Sequence, residues 1–312
     1  MQILIIQTAF IGDVILATPV AESLHASFPT AQIDLVVRKG HESLFDQHPF
    51  IHRVMTLDKR KKYVSLWALL KEIRSIRYDL VVNLHRYLSS GLLTVCSGAD
   101  QTIGFTTNPL SLFFSDRKPH IMDGRHEVER NLSLVQDIVK TSLTTPQLYI
   151  EHIDLPKLSL PYITIAPGSV WQTKKVPLSK WVGLISRQPP ELSVYIMGGK
   201  LDVDDGEWIR DQCDHDVKIL AGSLSLLESA AVMKYALMNY TNDSAPLHLA
   251  SAVNAPVTAV YCSTVPRFGF GPLSDQSVVI ETLEQMSCRP CGVHGRHRCP
   301  KGHFLCATSI NL

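Results

Sequence analysis

Charge is scarce in this chain. Asp, Glu, Lys and Arg make up 19% of its 312 residues while 45% are hydrophobic, against the roughly 25% charged of an ordinary globular protein. A disordered chain is thereby excluded. Any charge excess is missing as well: 30 Lys and Arg against 29 Asp and Glu leave +1, which excludes a bulk nucleic-acid binder, whose domain would be strongly basic. No run reaches the ~18 uninterrupted apolar residues of a spanning helix, because Glu228 and Lys234 break the most apolar stretch, 224–240. The apolar opening, 1–21, has no positive n-region; Asp13 interrupts it and the first basic residue is Arg38, so no export signal is expected. Nor is there a disulfide framework to read, since seven cysteines is an odd number and four of them crowd into the last 25 residues. These absences predict a cytoplasmic globular protein, and the length predicts two domains.

What is present is a βα rhythm. Val, Ile and Leu runs at 2–6, 33–37, 52–57 and 79–84 alternate with amphipathic stretches at 14–28, 63–76 and 126–139, the pattern of a parallel sheet covered by helices. Pro19 predicts a break or restart in the first helix, with Thr18 as a cap. The rhythm lapses into Thr, Ser and Pro between Lys140 and Pro161, apart from a strand-like piece at 147–150, and then restarts. Strands are expected at 162–166, 193–197, 217–220, 237–241 and 257–261, with helices at 179–187, 204–213, 226–235 and 245–252. The expected organisation is α/β: a first Rossmann-like domain over 1–145, a linker over 146–161, a second Rossmann-like domain over 162–286 and a Cys-rich segment over 287–312. Two such halves imply a cleft at the carboxyl ends of their strands, so chemistry is sought on the loops there.

Four loops carry suitable residues. The first, Gln7-Thr8-Ala9-Phe10-Ile11-Gly12-Asp13, lacks the glycines of a dinucleotide fingerprint and leaves Asp13 at a helix start. An acid there also simply complements the helix dipole. In the second half, Ala166-Pro167-Gly168-Ser169 leads to Thr173-Lys174-Lys175, two ammonium groups able to neutralise a diphosphate. Met197-Gly198-Gly199-Lys200-Leu201-Asp202 adds a glycine turn whose carboxylate suits ribose hydroxyls. The run Asn242-Asp243-Ser244-Ala245-Pro246-Leu247-His248 joins a strand to a helix whose first N–H groups form an anion site. Helix capping by Asp243 or Ser244, with His248 in the core, is the plainer account of that last loop.

In order and spacing these pieces resemble glycosyltransferase family 9, the ADP-heptose:lipopolysaccharide heptosyltransferases. The resemblance also rests on Thr18-Pro19, on Tyr78-Asp79-Leu80-Val81-Val82-Asn83-Leu84-His85 and on His126-Glu127-Val128-Glu129-Arg130-Asn131. Val176 and Ala245 stand where the family usually has Trp and Gly. The resemblance implies a GT-B fold, two Rossmann-like domains with parallel sheets facing a central cleft, the acceptor on the first and the sugar nucleotide on the second. It implies metal-independent, inverting transfer from ADP-heptose to a lipopolysaccharide core or related glycolipid. Asp13 would be the general base, Lys174 the phosphate-binding lysine, Asp243, Ser244, Ala245 and His248 the diphosphate loop, and Lys175, Gly199 and Asp202 further donor contacts. No cofactor is then required. Another nucleotide sugar, or a non-catalytic binder with the same fold, are the rival readings.

Two features stand outside that scheme. Between Arg53 and Arg77 eight Lys or Arg face two acids; Lys59, Arg60, Lys61 and Lys62 form either a solvated face or a landing surface for an anionic glycolipid acceptor and for peripheral contact with an anionic membrane. Cys288, Cys291, Cys299 and Cys306, interspersed with His294, His297 and His303, offer ligands for a structural zinc, or are reduced thiols or local disulfides packing a terminal lobe.

Overall fold

The computed structural model describes residues 1–312, and the chain folds as two compact units, Met1–Tyr149 and Ile150–Leu312. The first contains β1 (Gln2–Gln7), α1 (Ile11–Ile15), α2 (Thr18–Ser27), β2 (Gln32–Arg38), β3 (Ile51–Leu57), α3 (Lys62–Arg74), β4 (Leu80–Asn83), α4 (Leu88–Val95), β5 (Gln101–Phe105), β6 (Asp116–Lys118) and α5 (Glu127–Leu132). Its six strands are all parallel, in the order β3-β2-β1-β4-β5-β6. Strand β1 is buried almost throughout because helices cover both faces of such a sheet. It pairs with β2 on one side and β4 on the other, so the order reverses between β1 and β4, and ligands of doubly wound sheets bind beyond the strand ends at such a switch point.

The second unit repeats the plan with β7 (Tyr162–Ala166), α6 (Leu178–Ile185), β8 (Ser193–Ile196), α7 (Val203–Asp211), β9 (Val217–Ile219), α8 (Leu226–Lys234), β10 (Asn239–Asn242), α9 (Ala245–Ala252), β11 (Val257–Tyr261), β12 (Ser277–Glu281) and α10 (Leu305–Thr308). Its parallel order is β12-β11-β10-β7-β8-β9. Here the switch point lies between β7 and β10. The chain end returns to this core, where Ala307 and Ile310 pack with Trp181, Ile185 and Val260.

Several elements depart from the sequence reading. Pro19 does mark a restart, but Thr18 lies inside α2 rather than capping it; its hydroxyl donates to Ile15 O and accepts from Gln147 N–H. The piece at 147–150 is not a strand, and the helix expected over 126–139 ends at Leu132 and continues as turns. Strands β5, β6 and β12 and helix α4 were not anticipated. Gly104 weakens the strand signal of β5, yet it is required there because a Cβ would sit 2.6 Å from the Phe114 ring. β6 is Asp-Arg-Lys, a polar edge strand that hydrophobic periodicity does not detect, while β12, Ser-Val-Val-Ile-Glu, is apolar in sequence yet largely exposed at the edge of its sheet.

Candidate active site

In the first unit the loops after β1 and β4 meet at the switch point. Asp13 lies in the first turn of α1, half-buried, and its carboxylate accepts the Phe10 N–H at 3.2 Å. Burial, reinforced by the negative charge of Glu127, raises its pKa to about 6; the Phe10 N–H and the Arg86 guanidinium only partly oppose this. Glu127 stays ionised in turn. Burial would raise its pKa, but His120 at 3.2 Å and Arg130 at 2.7 Å hold it below the usual carboxylate range. After β4, His85 shares a 2.8 Å hydrogen bond with Thr8, and burial followed by the charges of Lys59 and Arg86 pushes its pKa down to about 3, so the ring is neutral at physiological pH. Lys59 responds to the same site: desolvation and Arg38 lower its pKa, and Asp13 pulls it up. The site therefore offers one carboxylate poised to take a proton, with cations around it. Lys59, Arg60, Lys61 and Lys62 are all exposed at the start of α3.

In the second unit the loops after β7 and β10 meet in the same way. Lys174 Nζ lies 2.7 Å from Asp243 Oδ2, and the same oxygen accepts the Thr264 hydroxyl at 2.6 Å. Asn242 ties the two loops, donating to Pro167 O at 2.6 Å and accepting Val176 N–H at 3.1 Å. Ser244 is the N-cap of α9, although its side chain makes no capping bond. Ala245 opens that helix, and His248, one turn on, is buried with its ring edge-on to Phe270. Lys175 points elsewhere, to Asp205 in the first turn of α7 at 3.0 Å. Asp202 is engaged within its own turn, where it accepts the Gly199 N–H at 2.9 Å. Two glycines make room for it: a Cβ at Gly168 would come within 2.2 Å of Asp202 Oδ1, and Gly198 has φ +153° with a would-be Cβ 2.7 Å from Oδ2. The structure thus brings Lys174, Asp243 and the start of α9 together and leaves Lys175 on a separate ion pair.

The terminal segment straps across this unit. Arg289 donates to the carbonyls of Tyr261, Cys262 and Thr264, and Arg296 N–H donates to Thr173 Oγ1 at 2.7 Å beside the lysine loop. A cavity of about 860 Å³ opens there, lined by Trp171, Arg296, His297, Arg298 and Lys301 among others. All seven cysteines are free thiols. Cys288 Sγ lies 3.8 Å from His303 Nε2, Cys291 Sγ donates to the Cys288 carbonyl and Cys306 is buried; no three His, Cys, Asp or Glu side chains converge to hold a metal ion.

Sequence reasoning gave no role to Arg86 or Thr264, met Glu127 only inside the run that carries the resemblance, and read Arg289 only as part of a basic terminal lobe able to touch phosphate on the acceptor. Arg86 and Thr264 follow the ends of β4 and β11, and strand-end position was the one signal available for them. Glu127 and Arg289 come from distant segments and carry no such mark.

A family model, "Glycosyltransferase family 9 (heptosyltransferase)", matches residues 66–297. Lipopolysaccharide heptosyltransferase 3 of Escherichia coli K12 is 27% identical over 282 residues, covering 81% of this chain and 80% of that protein. Among solved structures, a family 9 glycosyl transferase from Veillonella parvula superposes with a TM-score of 0.82 at 22% identity, covering 92% of this chain and 88% of that one. The E. coli ADP-heptose lps heptosyltransferase II superposes with a TM-score of 0.78 at 22% identity, covering 97% and 96%.

Proposed function

Because the chain belongs to glycosyltransferase family 9, and is an enzyme with the two parallel-sheet units of the GT-B fold, we propose that it moves a heptose from ADP-heptose to a lipopolysaccharide core or related glycolipid, with Asp13 as general base. In this reading the acceptor oxygen attacks the anomeric carbon as the bond from that carbon to the β-phosphate oxygen breaks. The hydroxyl proton passes to Asp13, the bonding electron pair leaves on ADP, and the configuration inverts. The first unit serves the acceptor and the second the donor. Lys174 and the first N–H groups of α9 supply positive potential where charge develops on the leaving diphosphate, so the chemistry of these residues asks for no metal. Asp243 and Thr264 orient Lys174, and Ser244, Ala245 and His248 belong to the same diphosphate loop. Asp202 and Gly199 shape the turn beside it. Lys175, held by Asp205, acts at longer range.

The observation that carries this reading is the Asp13 carboxylate, raised to about 6 at the switch point of the first sheet, because a base of that pKa is ionised at neutral pH yet accepts a proton readily. The chain has no helix long and apolar enough to cross a membrane. We place its work at the cytoplasmic face of an anionic membrane, where Lys59 to Lys62 would meet the glycolipid. The test is release of the donor's own nucleoside diphosphate by the purified chain with a panel of nucleotide sugars and a heptose-deficient core glycolipid. ADP-heptose should be turned over at least tenfold faster than the other donors. Faster turnover of another donor overturns the choice of sugar.

A further inference from the structure

The outer side of α3 carries residues that its packing does not need. Leu66, Leu69, Leu70 and Ile73, at i, i+3, i+4 and i+7, already turn one side of the helix into the core of the first unit. Tyr63 and Trp67 flank that stripe on one side of the helix and are 76% and 66% exposed. The neighbouring helix α4 packs against α3, and its exposed positions are Leu88, Leu92 and Val95, with no charged residue among them. A helix face that is merely solvated would carry polar groups there. Arg74 near the end of α3 reaches the Cys96 carbonyl just past α4 at 3.4 Å, so the last turns of the two helices lie side by side. A third piece joins them: Asn108 donates to the Tyr87 carbonyl at 3.1 Å, Leu110 packs beside Gly91, and the turn that follows exposes Leu112 and Phe113.

From these placements we propose that Tyr63, Trp67, Leu88, Leu92, Leu112 and Phe113 form an interfacial anchor that seats the first unit in an anionic bilayer, with Lys59 to Lys62 at its rim. Tyr and Trp are side chains that settle at the boundary of lipid and water, and a polybasic segment beside an inserted apolar face adds attraction to anionic headgroups. The charge chooses between this occupant and a second copy of the chain. A two-fold dimer through this face would bring both copies of the run into one interface, whereas an anionic surface complements all four cations directly. The inference rests on the peripheral placement proposed above and adds the apolar surface that would hold it.

The experiment uses the full chain and vesicles containing neither glycolipid acceptor nor nucleotide, so its failure is distinguishable from failure of the transferase reading. The chain should sediment with vesicles of mixed phosphatidylglycerol and phosphatidylcholine and stay in solution with phosphatidylcholine alone. Its tryptophan emission should shift to the blue and be quenched by brominated acyl chains, and Trp67→Ser should abolish that quenching. Trp67→Ser with Phe113→Ser should lower the vesicle-bound fraction by at least about tenfold without changing the melting temperature, since these side chains are 66% and 70% exposed. Wild-type protein that remains in solution, or a double variant that binds undiminished, overturns the anchor. So does binding that depends on Lys59 to Lys62 alone, or concentration-dependent dimerisation that the same double variant removes.

Discussion

Asp13 is a carboxylate whose useful property is also a structural cost. Folding raises its pKa from 3.8 to about 6, so between those values the folded state binds the proton more tightly than the unfolded chain, and stability falls as pH rises. Asp13→Asn removes that loss while keeping an acceptor for the Phe10 N–H. The variant should melt higher than wild type well above pH 6 and match it below the unfolded value, as differential scanning calorimetry across pH can show. The same change should leave ADP binding intact and cut turnover by about 10²–10⁴-fold, the contribution of a positioned base; near-normal kcat would remove Asp13 from that role. In wild-type enzyme, kcat/KM should rise through about pH 6, and Glu127→Gln should move that inflection downward by withdrawing a like charge. Lys174 and Lys175 are adjacent in sequence but not in circumstance, since one pairs with a buried aspartate and the other with a partly exposed one. Lys174→Ala should weaken ADP binding in calorimetric titration and lower the melting temperature, because it leaves Asp243 buried without its cation. Lys175→Ala should do much less to either; equal effects would mean that Asp243 does not distinguish the two.

At the scale of elements, the turns at the switch points depend on close approach rather than on helix or strand propensity. Gly168, after β7, and Gly198, after β8, are both pressed against the Asp202 carboxylate, which is itself bound to the Gly199 N–H. Gly168→Ala must therefore displace Asp202, and is expected to lower both the melting temperature and ADP affinity. On an Asp202→Ala background the thermal penalty should shrink, a non-additivity that a double-mutant cycle measures directly. An additive result would place the strain elsewhere in the turn. Helix α9 illustrates the same dependence on neighbours. Its Asp243 serves the Lys174 loop, not its own first turn, because β10 lies next to β7 and delivers the two loops to one place.

At the scale of the whole molecule, one run of charge stands out against near neutrality. Lys59 to Lys62 are exposed in a chain of net charge +1, so steering toward an anionic acceptor must come from such local patches. Replacing all four with Ser should raise KM for a vesicle-borne acceptor, and the defect should shrink at high salt, where exposed charges are screened over ~10 Å or less. Donor KM should stay within about twofold, since these residues sit in the unit that does not hold Lys174. Unchanged acceptor KM at low salt would return the run to a solvated face. Periodicity and order are local properties, so the sequence alone determined the α/β class, nine of the twelve strands and the place of Asp13, Lys174 and Asp243 on loops after strands. It could not reveal the edge strand β6, Asp-Arg-Lys, whose pairing is set by its neighbour β5 and not by an apolar pattern. Nor could it show that Lys174 pairs with Asp243 and Lys175 with Asp205, raise Asp13 to about 6 through burial and Glu127, or show the last turns of α3 and α4 side by side. Those depend on strand order and helix packing, which bring together residues far apart in the chain and set the burial and charge that each one feels.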